Sequence, residues 1–268
     1  MKCGTTSLAT QMGGHPEIFI SPKKEPHFFS MEEVWARGLG WYEALFNDAG
    51  NAKIVGEAST TYTMVPFHDG VVNRIAETLE DVHFVYVVRH PIKRLISNYT
   101  HLWHAGQDIQ PIDQMVDKYP QLVAASRYHF QIEQYLQRFP ANRMLVLAFE
   151  DFVKDPLALH RRIYEFLGVD ANFVPEDLSA KNVAAEKVRE SSWVRMAKDL
   201  PLVRSLARWL LPAEIRSSIT KIGGKPQIQV DLSAELHQRL VTEFKPEIQK
   251  LSAFVGRDFS KIWDLDTR

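Results

Sequence analysis

Two stretches of this sequence collect side chains that can hold an anion. Near the start, Lys2-Cys3-Gly4-Thr5-Thr6-Ser7-Leu8 places a lysine, a glycine and three consecutive hydroxyls ahead of an apolar, helix-compatible segment. Gly4 permits close backbone approach, and a following helix aims its unpaired N–H groups at an anion. Thr5, Thr6 and Ser7 add donors, and Lys2 adds charge. The lysine precedes the glycine and no GxxxxGK[ST] string occurs in the chain, so this is not the Walker arrangement. Taken alone, the string also reads as an unstructured or capping stretch. The second stretch is Arg89-His-Pro-Ile-Lys-Arg94-Leu-Ile-Ser97-Asn-Tyr99. Arg89 falls at the C-terminal end of an apolar run and Ser97 in the helix expected after Pro91, so both can face one anion. An arginine fork with a hydroxyl is a good dianion receptor; the plainer alternatives are a surface ion pair and an exposed helix position. His101 and His104, three apart on the same helix, lack accompanying carboxylates, and no metal is expected.

These groups need elements to position them. Val82–Val88 is a β-branched and aromatic run stopped by Arg89-His90-Pro91, and it reads as a buried parallel strand. Ile18 to Ile20, Lys53–Gly56 and Met144–Phe149 read as further strands. Tyr128, Ile132, Leu136 and Phe139 recur at helical spacing, as do Leu159, Ile163 and Phe166, with Gly168 as a stop. Leu232, Leu236, Leu240 and Phe244 form one apolar stripe and Ile248, Leu251 and Phe254 another, with Pro246 between them as a kink or first-turn residue. Strands alternating with helices imply an α/β layered fold with a central, mostly parallel sheet flanked by helices. Residues 186–226 interleave Lys and Arg with Trp193, Trp209 and leucines, which suits a lid or acceptor-facing cap, or a plain solvated cover.

At 268 residues the chain fits a single domain over 1–268. Its net charge of -1 gives no global pull toward nucleic acid or anionic membrane, so any anion site must be local. Cys3 is the sole cysteine, which excludes an internal disulfide framework and favours a reducing, cytoplasmic compartment. No apolar run approaches the twenty residues of a membrane span, and no signal-peptide pattern occurs.

The first string resembles the 5'-phosphosulfate loop of sulfotransferases that use 3'-phosphoadenosine 5'-phosphosulfate (PAPS). That resemblance implies that Lys2, Gly4, Thr5, Thr6 and Ser7 hold the 5'-phosphate and that Lys2 approaches the bridging oxygen that leaves. Arg89 through Tyr99 resembles the family's R-x-P-x-x-R-x-x-S-x-Y string, which implies that Arg89 and Ser97 read the 3'-phosphate. Lys24-Glu25-Pro26-His27-Phe28-Phe29 is similar to the K-E-x-H-F-F motif of the group that includes the heparan sulfate enzymes and bacterial relatives. It implies Glu25 as catalytic base and His27 as an acceptor-side polar group; in isolation, a glutamate beside two lysines reads as a solvated charge. Gly56-Glu57-Ala58-Ser59-Thr60-Thr61-Tyr62 resembles the group's G-E-x-S-P-x-Y loop, with Ala58 where lysine and Thr60 where proline are usual. The first departure counts against a heparan-like acceptor. Ser126-Arg-Tyr128 and the F-E-D-x-x-x-D-P turn at Phe149 to Pro156 also match, with Glu150 and Asp151 read as capping residues. Ile222 to Pro226 stands where the family has a loop that closes over the 3'-phosphate through Lys225, although a plain turn reads equally well.

The resemblance implies a P-loop-like three-layer fold, PAPS as donor, no metal, and a small-molecule or glycan acceptor carrying a hydroxyl or, less favourably, an amine. In-line displacement needs positioning and charge neutralisation more than covalent catalysis, with Glu25 taking the acceptor proton and Lys2 facing the leaving oxygen. In the family a buried strand precedes the first loop. It is missing ahead of Lys2, so Met1 is expected to be an internal residue of a longer natural protein. A nucleotide-binding protein without turnover and a P-loop-type kinase are the alternative readings.

Overall fold

The computed structural model describes residues 1–105, 110–178 and 230–266. Residues 186–226, expected to form a lid or cap, and with them Lys225, lie outside the described residues. In chain order the helices and strands are α1 (Thr5–Met12), β1 (Ile18–Ile20), α2 (Glu32–Trp35), α3 (Leu39–Glu43), β2 (Ile54–Gly56), α4 (Val71–Thr78), β3 (Phe84–Val88) and α5 (Pro91–His104). There follow α6 (Ile112–Lys118), α7 (Gln121–Ala124), α8 (Tyr128–Leu136), β4 (Met144–Ala148), α9 (Phe149–Lys154), α10 (Pro156–Leu167) and α11 (Ala234–Val255).

The helix boundaries follow local chemistry. Pro91 opens α5, and Pro156 opens α10 behind an Asp155 cap that accepts the Ala158 N–H at 3.0 Å. Gly168 ends α10 in the left-handed conformation at φ 69°. Ser233 caps α11, accepting the Leu236 N–H at 3.1 Å. This last helix runs unbroken through Pro246 instead of dividing there. Leu236, Leu240, Phe244, Ile248 and Leu251 are all buried in the same cluster, and that shared packing offsets the lost backbone hydrogen bond.

β3 pairs with β4 in parallel, Phe84 opposite Met144 through Val88 opposite Ala148. Val88, Val146 and Ala148 pack toward α5, α8 and α11, whereas Val87 and Leu147 pack toward α1 and α10. Burial on both faces is why both strands read as continuous apolar runs. β1 pairs with β2 in parallel, Ile18 opposite Ile54 through Ile20 opposite Gly56.

The expected single central sheet is corrected here. The described strands form two separate two-stranded parallel sheets. Cys3, Leu8 and Met12 share one core cluster with Ile18 of β1, Val87 of β3 and Leu147 of β4. Side-chain packing therefore joins the two pairs, with no ladder hydrogen bonds between them.

The reading of Glu150 and Asp151 as caps is also corrected. α9 begins at Phe149 with Ala148 as its cap residue and no side-chain capping bond. Glu150 and Asp151 are thus inside the first turn and face other elements. Glu150 accepts the His90 N–H at 3.0 Å, and Asp151 takes a bidentate bond from Arg257, one arm at 2.8 Å. Arg257 holds the Asp151 carboxyl below the usual aspartate range. Because the folded value is depressed, the pair stabilises the fold above the unfolded aspartate value and loses that contribution as pH falls through the folded one. Arg257→Ala is expected to cost on the order of 1 kcal/mol at neutral pH for this partly exposed pair. Urea denaturation of both proteins should show the difference fading under strongly acid conditions.

Candidate functional site

The register of β3 and β4 ends with Val88 beside Ala148, so Arg89 and Phe149 leave the C-terminal edge of the pair together. This is the edge at which ligands collect in parallel α/β sheets. The Arg89 guanidinium lies over the Phe149 ring, 4.8 Å from its centroid, and its Nη1 donates to the Lys2 carbonyl at 3.1 Å. The Tyr128 hydroxyl donates to the Arg89 carbonyl at 2.7 Å. Arg89 is therefore held from both sides and is itself a strap on the first loop.

That loop turns sharply. Lys2 has φ 67° and Gly4 φ 77°. A Cβ on Gly4 would stand 2.9 Å from the Phe149 ring and 3.2 Å from Phe152, so both the conformation and the space require glycine. α1 starts immediately afterwards with no side-chain cap and no acidic residue in its first turn. Thr6 is exposed and Thr5 half-buried, but Ser7 turns inward and is buried. An uncapped helix start behind a tight glycine turn, with Lys2 and two threonines and no carboxylate, fits a multiply charged phosphate group.

The second half of the site comes from β1 and β2. Ile20 opposite Gly56 makes the Lys24–Phe29 and Glu57–Tyr62 stretches run on from adjacent strand ends. The Glu25 Oε2 accepts the Thr60 hydroxyl at 2.6 Å and the Thr60 N–H at 3.0 Å, and its Oε1 lies 3.3 Å from the Lys24 ammonium. Burial acts to raise the Glu25 carboxyl, but the Thr60 bonds and the Lys24 charge outweigh it and hold the group below the usual carboxylate range. His27, at φ 58°, lies 3.8 Å from Glu25 through Nε2 and 2.8 Å from the Thr61 hydroxyl through Nδ1. Burial pushes the imidazole below its ordinary value against the pull of Glu25. Phe28 and Phe29 anchor the loop: both are buried, and Phe28 stacks on Tyr42 with centroids 4.6 Å apart.

Thr10 of α1 and Gly13 at its C-terminal end, Ser21 and Lys24 after β1, and Ala58 after β2 line one open pocket of about 220 Å³. The pocket thus lies between the later part of α1 and the chain leaving β1 and β2, next to Glu25 in sequence through Lys24. The structure brings Glu25 and His27 together and ties Arg89 to the Lys2–Ser7 loop. Ser97 lies half-buried on α5 with no hydrogen bond to Arg89, and Lys225 lies outside the described residues.

Several supporting residues escaped the sequence reading. Thr60, which departs from the family's usual proline, holds Glu25. Phe149 is the surface on which Gly4 and Arg89 meet. Arg94 is 1% exposed and donates to the Ser126 hydroxyl and the Leu122 carbonyl, so this arginine braces α5 from inside. The recurrence of Arg94 and Ser126-Arg-Tyr128 within matched strings was a signal, but only contacts across the fold assign them work. Among the described residues, no group of three or more His, Cys, Asp or Glu side chains could hold a metal ion.

An α/β fold that sets a tight glycine turn and an uncapped helix start near a carboxylate at its strand ends suits a transferase that uses an anionic donor, and comparison with known proteins narrows the class. A profile described as the Sulfotransferase family matches residues 41–173. The chain is 24% identical over 272 residues to heparan sulfate glucosamine 3-O-sulfotransferase 3B1 of Mus musculus, covering 98% of this chain and 63% of that protein. It is 25% identical over 271 residues to heparan sulfate glucosamine 3-O-sulfotransferase 6 of Mus musculus, covering 98% of this chain and 71% of that one. The chain thus spans less than two thirds of the first of these relatives. The crystal structure of a sulfotransferase from Alicyclobacillus acidocaldarius superposes with a TM-score of 0.70 at 26% identity, covering 97% of this chain and 94% of that one. The sulfotransferase domain from the curacin biosynthetic pathway shares the fold, with a TM-score of 0.51 at 18% identity over 91% of this chain and 94% of that one. Over residues 41–173 the chain thus matches the Sulfotransferase family, and along nearly its whole length it is similar to known sulfotransferases.

The glycine turn gives a direct test. Gly4→Ala should weaken binding of 3',5'-adenosine bisphosphate about tenfold, in line with roughly 1–2 kcal/mol for forcing an L-residue into the left-handed region. Calorimetry measures this, and an unchanged affinity would separate the loop from the donor site.

Proposed function

We propose that the chain transfers the sulfuryl group of PAPS to a hydroxyl, less favourably an amine, of a carbohydrate or other hydroxylated metabolite, with Glu25 as general base. The observation that carries this reading is the Glu25 carboxylate, ionised at neutral pH and aimed by Thr60 and Lys24 beside the pocket that α1 also lines. PAPS supplies an activated sulfuryl group attached through oxygen to a phosphate leaving group. As the acceptor oxygen bonds to sulfur and the bridging S–O bond breaks, the acceptor proton passes to Glu25. Lys2 neutralises charge on the leaving side. Arg89 and Ser97 hold the donor's far phosphate, with Lys225 closing over it, and His27 orients the acceptor. Ser7, buried behind the loop, supports it from within.

The acceptor is approached through two facts. The relatives act, by name, on heparan sulfate glucosamine. The pocket wall here is Ala58 in place of the group's usual lysine. Loss of that cation favours a carbohydrate less anionic than heparan sulfate, or another small hydroxylated molecule. No helix among the described residues is long and apolar enough to cross a membrane. The single cysteine suits a reducing compartment such as the cytoplasm.

Glu25→Gln should leave 3',5'-adenosine bisphosphate affinity within about twofold while lowering turnover on the order of a hundredfold, the usual share of a general base. Full turnover in that variant would overturn the assignment. If the parent chain binds the nucleotide tightly but shows no turnover across an acceptor screen with PAPS, the non-catalytic reading takes its place. In a separate titration, Arg89→Ala should weaken the same nucleotide tenfold or more, losing a charged donor and the strap on the Lys2 carbonyl. An unchanged affinity would remove Arg89 from the site.

A further inference from the structure

The carboxyl of Glu57 is used by nothing in the mechanism above, yet it is the end point of two hydrogen-bond chains from the loop that carries Glu25. The Ser59 hydroxyl donates to Glu57 Oε2 at 2.9 Å, and the Ser59 oxygen accepts the His27 N–H at 3.0 Å. The Tyr62 hydroxyl is hydrogen-bonded to the same carboxyl, and its oxygen accepts the Phe29 N–H at 3.3 Å. Each hydroxyl has one proton to give. With a backbone N–H pointing at each oxygen, both hydroxyl protons are left to point at an acceptor, and the carboxylate accepts from both. Tyr62 and Ser59 are also hydrogen-bonded to each other, so the two chains meet at Glu57.

We propose that Glu57 is a positioning residue: as a carboxylate it orients Ser59 and Tyr62, and through them fixes the backbone of His27 and Phe29 in the loop that carries Glu25. The proposal rests on the reading of Glu25 as the base, because it concerns the aim of that base. Glu57 acts through the loop and not on the acceptor.

The surroundings of Glu57 make this clamp sensitive to pH. Burial pushes its carboxyl up to about 7, against the bonds from Tyr62 and Ser59. Glu25 adds to the rise and Lys24 opposes it. Tyr42 of α3 and Tyr135 of α8 also face it, and both phenols are raised by burial and by the charge of Glu57. Protonation turns one acceptor oxygen into a donor and removes the charge that strengthens both hydroxyl bonds, so the hold of Ser59 and Tyr62 on the His27 and Phe29 N–H groups loosens. Turnover should then fall on the acid side with a midpoint near 7, well above the range of the Glu25 carboxylate. The stability effect has the opposite sense. A carboxyl whose folded value is raised costs stability as pH climbs from the unfolded value through the folded one, so removing its charge should leave the fold at least as stable at neutral pH.

The first test needs no acceptor. Amide hydrogen exchange of His27 and Phe29 is compared in the parent chain and in Glu57→Gln, whose neutral amide presents a donor in place of one acceptor oxygen and carries no charge. Exchange in the variant should be at least tenfold faster at these two positions. In the parent, after correction for intrinsic rates, their protection should drop as pH falls through about 7. Protection that is unchanged in both comparisons overturns the proposal. If Glu57→Gln fails to fold, Ser59→Ala with Tyr62→Phe takes its place, with the same expected and overturning results and with 3',5'-adenosine bisphosphate binding as the check on the fold. The second test is turnover of PAPS with a heparosan oligosaccharide and with 4-nitrophenol as probes. Glu57→Gln should lower kcat ten- to a hundredfold, as a misaimed base does. It should leave nucleotide affinity within twofold and abolish the acid-side step. A variant that keeps both rate and step overturns the proposal, while full turnover in Glu25→Gln together with faster exchange in Glu57→Gln would remove the base assignment and leave the clamp standing.

Discussion

The parallel pairing of two short strand pairs, ending flush at Ile20 beside Gly56 and at Val88 beside Ala148, is the constraint on which the site depends. Side chains alternate along a strand, so a slip of one residue would exchange Val87 for Val88 between the two faces, each already filled. Burial on both sides therefore locks the register. The register in turn places Arg89 beside Phe149 and starts the Glu25 and Glu57 stretches side by side. Few hydrogen bonds do this, because β1 and β2 have three residues each.

The loops gathered at these strand ends are held in place for separate reasons. Behind Lys2 and Gly4 the reason is steric: the Phe149 ring leaves no room for a Cβ, and Arg89 lies over that ring while holding the Lys2 carbonyl. Around Glu25 it is a packed aromatic base under a polar surface. Phe28 and Phe29 are buried against Trp35 and Tyr42, so the chain between Lys24 and Phe29 is fixed at its apolar end while its carboxylate faces hydroxyls. Oriented donors such as the Thr60 N–H and hydroxyl stabilise a carboxylate without reorganising when charge moves. The same environment treats two nearby carboxyls oppositely. Glu25, with two bonds from Thr60 and a lysine, is held down, while Glu57, more deeply enclosed and repelled by Glu25, is pushed up. Such divergence between neighbouring acids is a mark of functional sites.

Much of this was legible in the sequence because the information was local. The apolar runs read at Val82–Val88 and Met144–Phe149 fold as strands Phe84–Val88 and Met144–Ala148, and the helix after Pro91 and the Gly168 stop stand where the local residues place them. The Lys2–Leu8 and Arg89–Tyr99 strings and the Lys24–Phe29 motif are also contiguous, so their residue types and the family they resemble could be read directly. What the tertiary structure alone decided are relations between distant segments. Thr60 bonds Glu25 across 35 positions, Arg89 bonds Lys2 across 87, and Asp151 faces Arg257 across 106 instead of capping its own helix. No periodicity encodes which hydroxyl meets which carboxylate, because that depends on strand register and helix packing together. The division of the sheet into two pairs and the unbroken course of α11 through Pro246 have the same origin. In both, packing energy summed over many side chains outweighs a local rule about strands or proline.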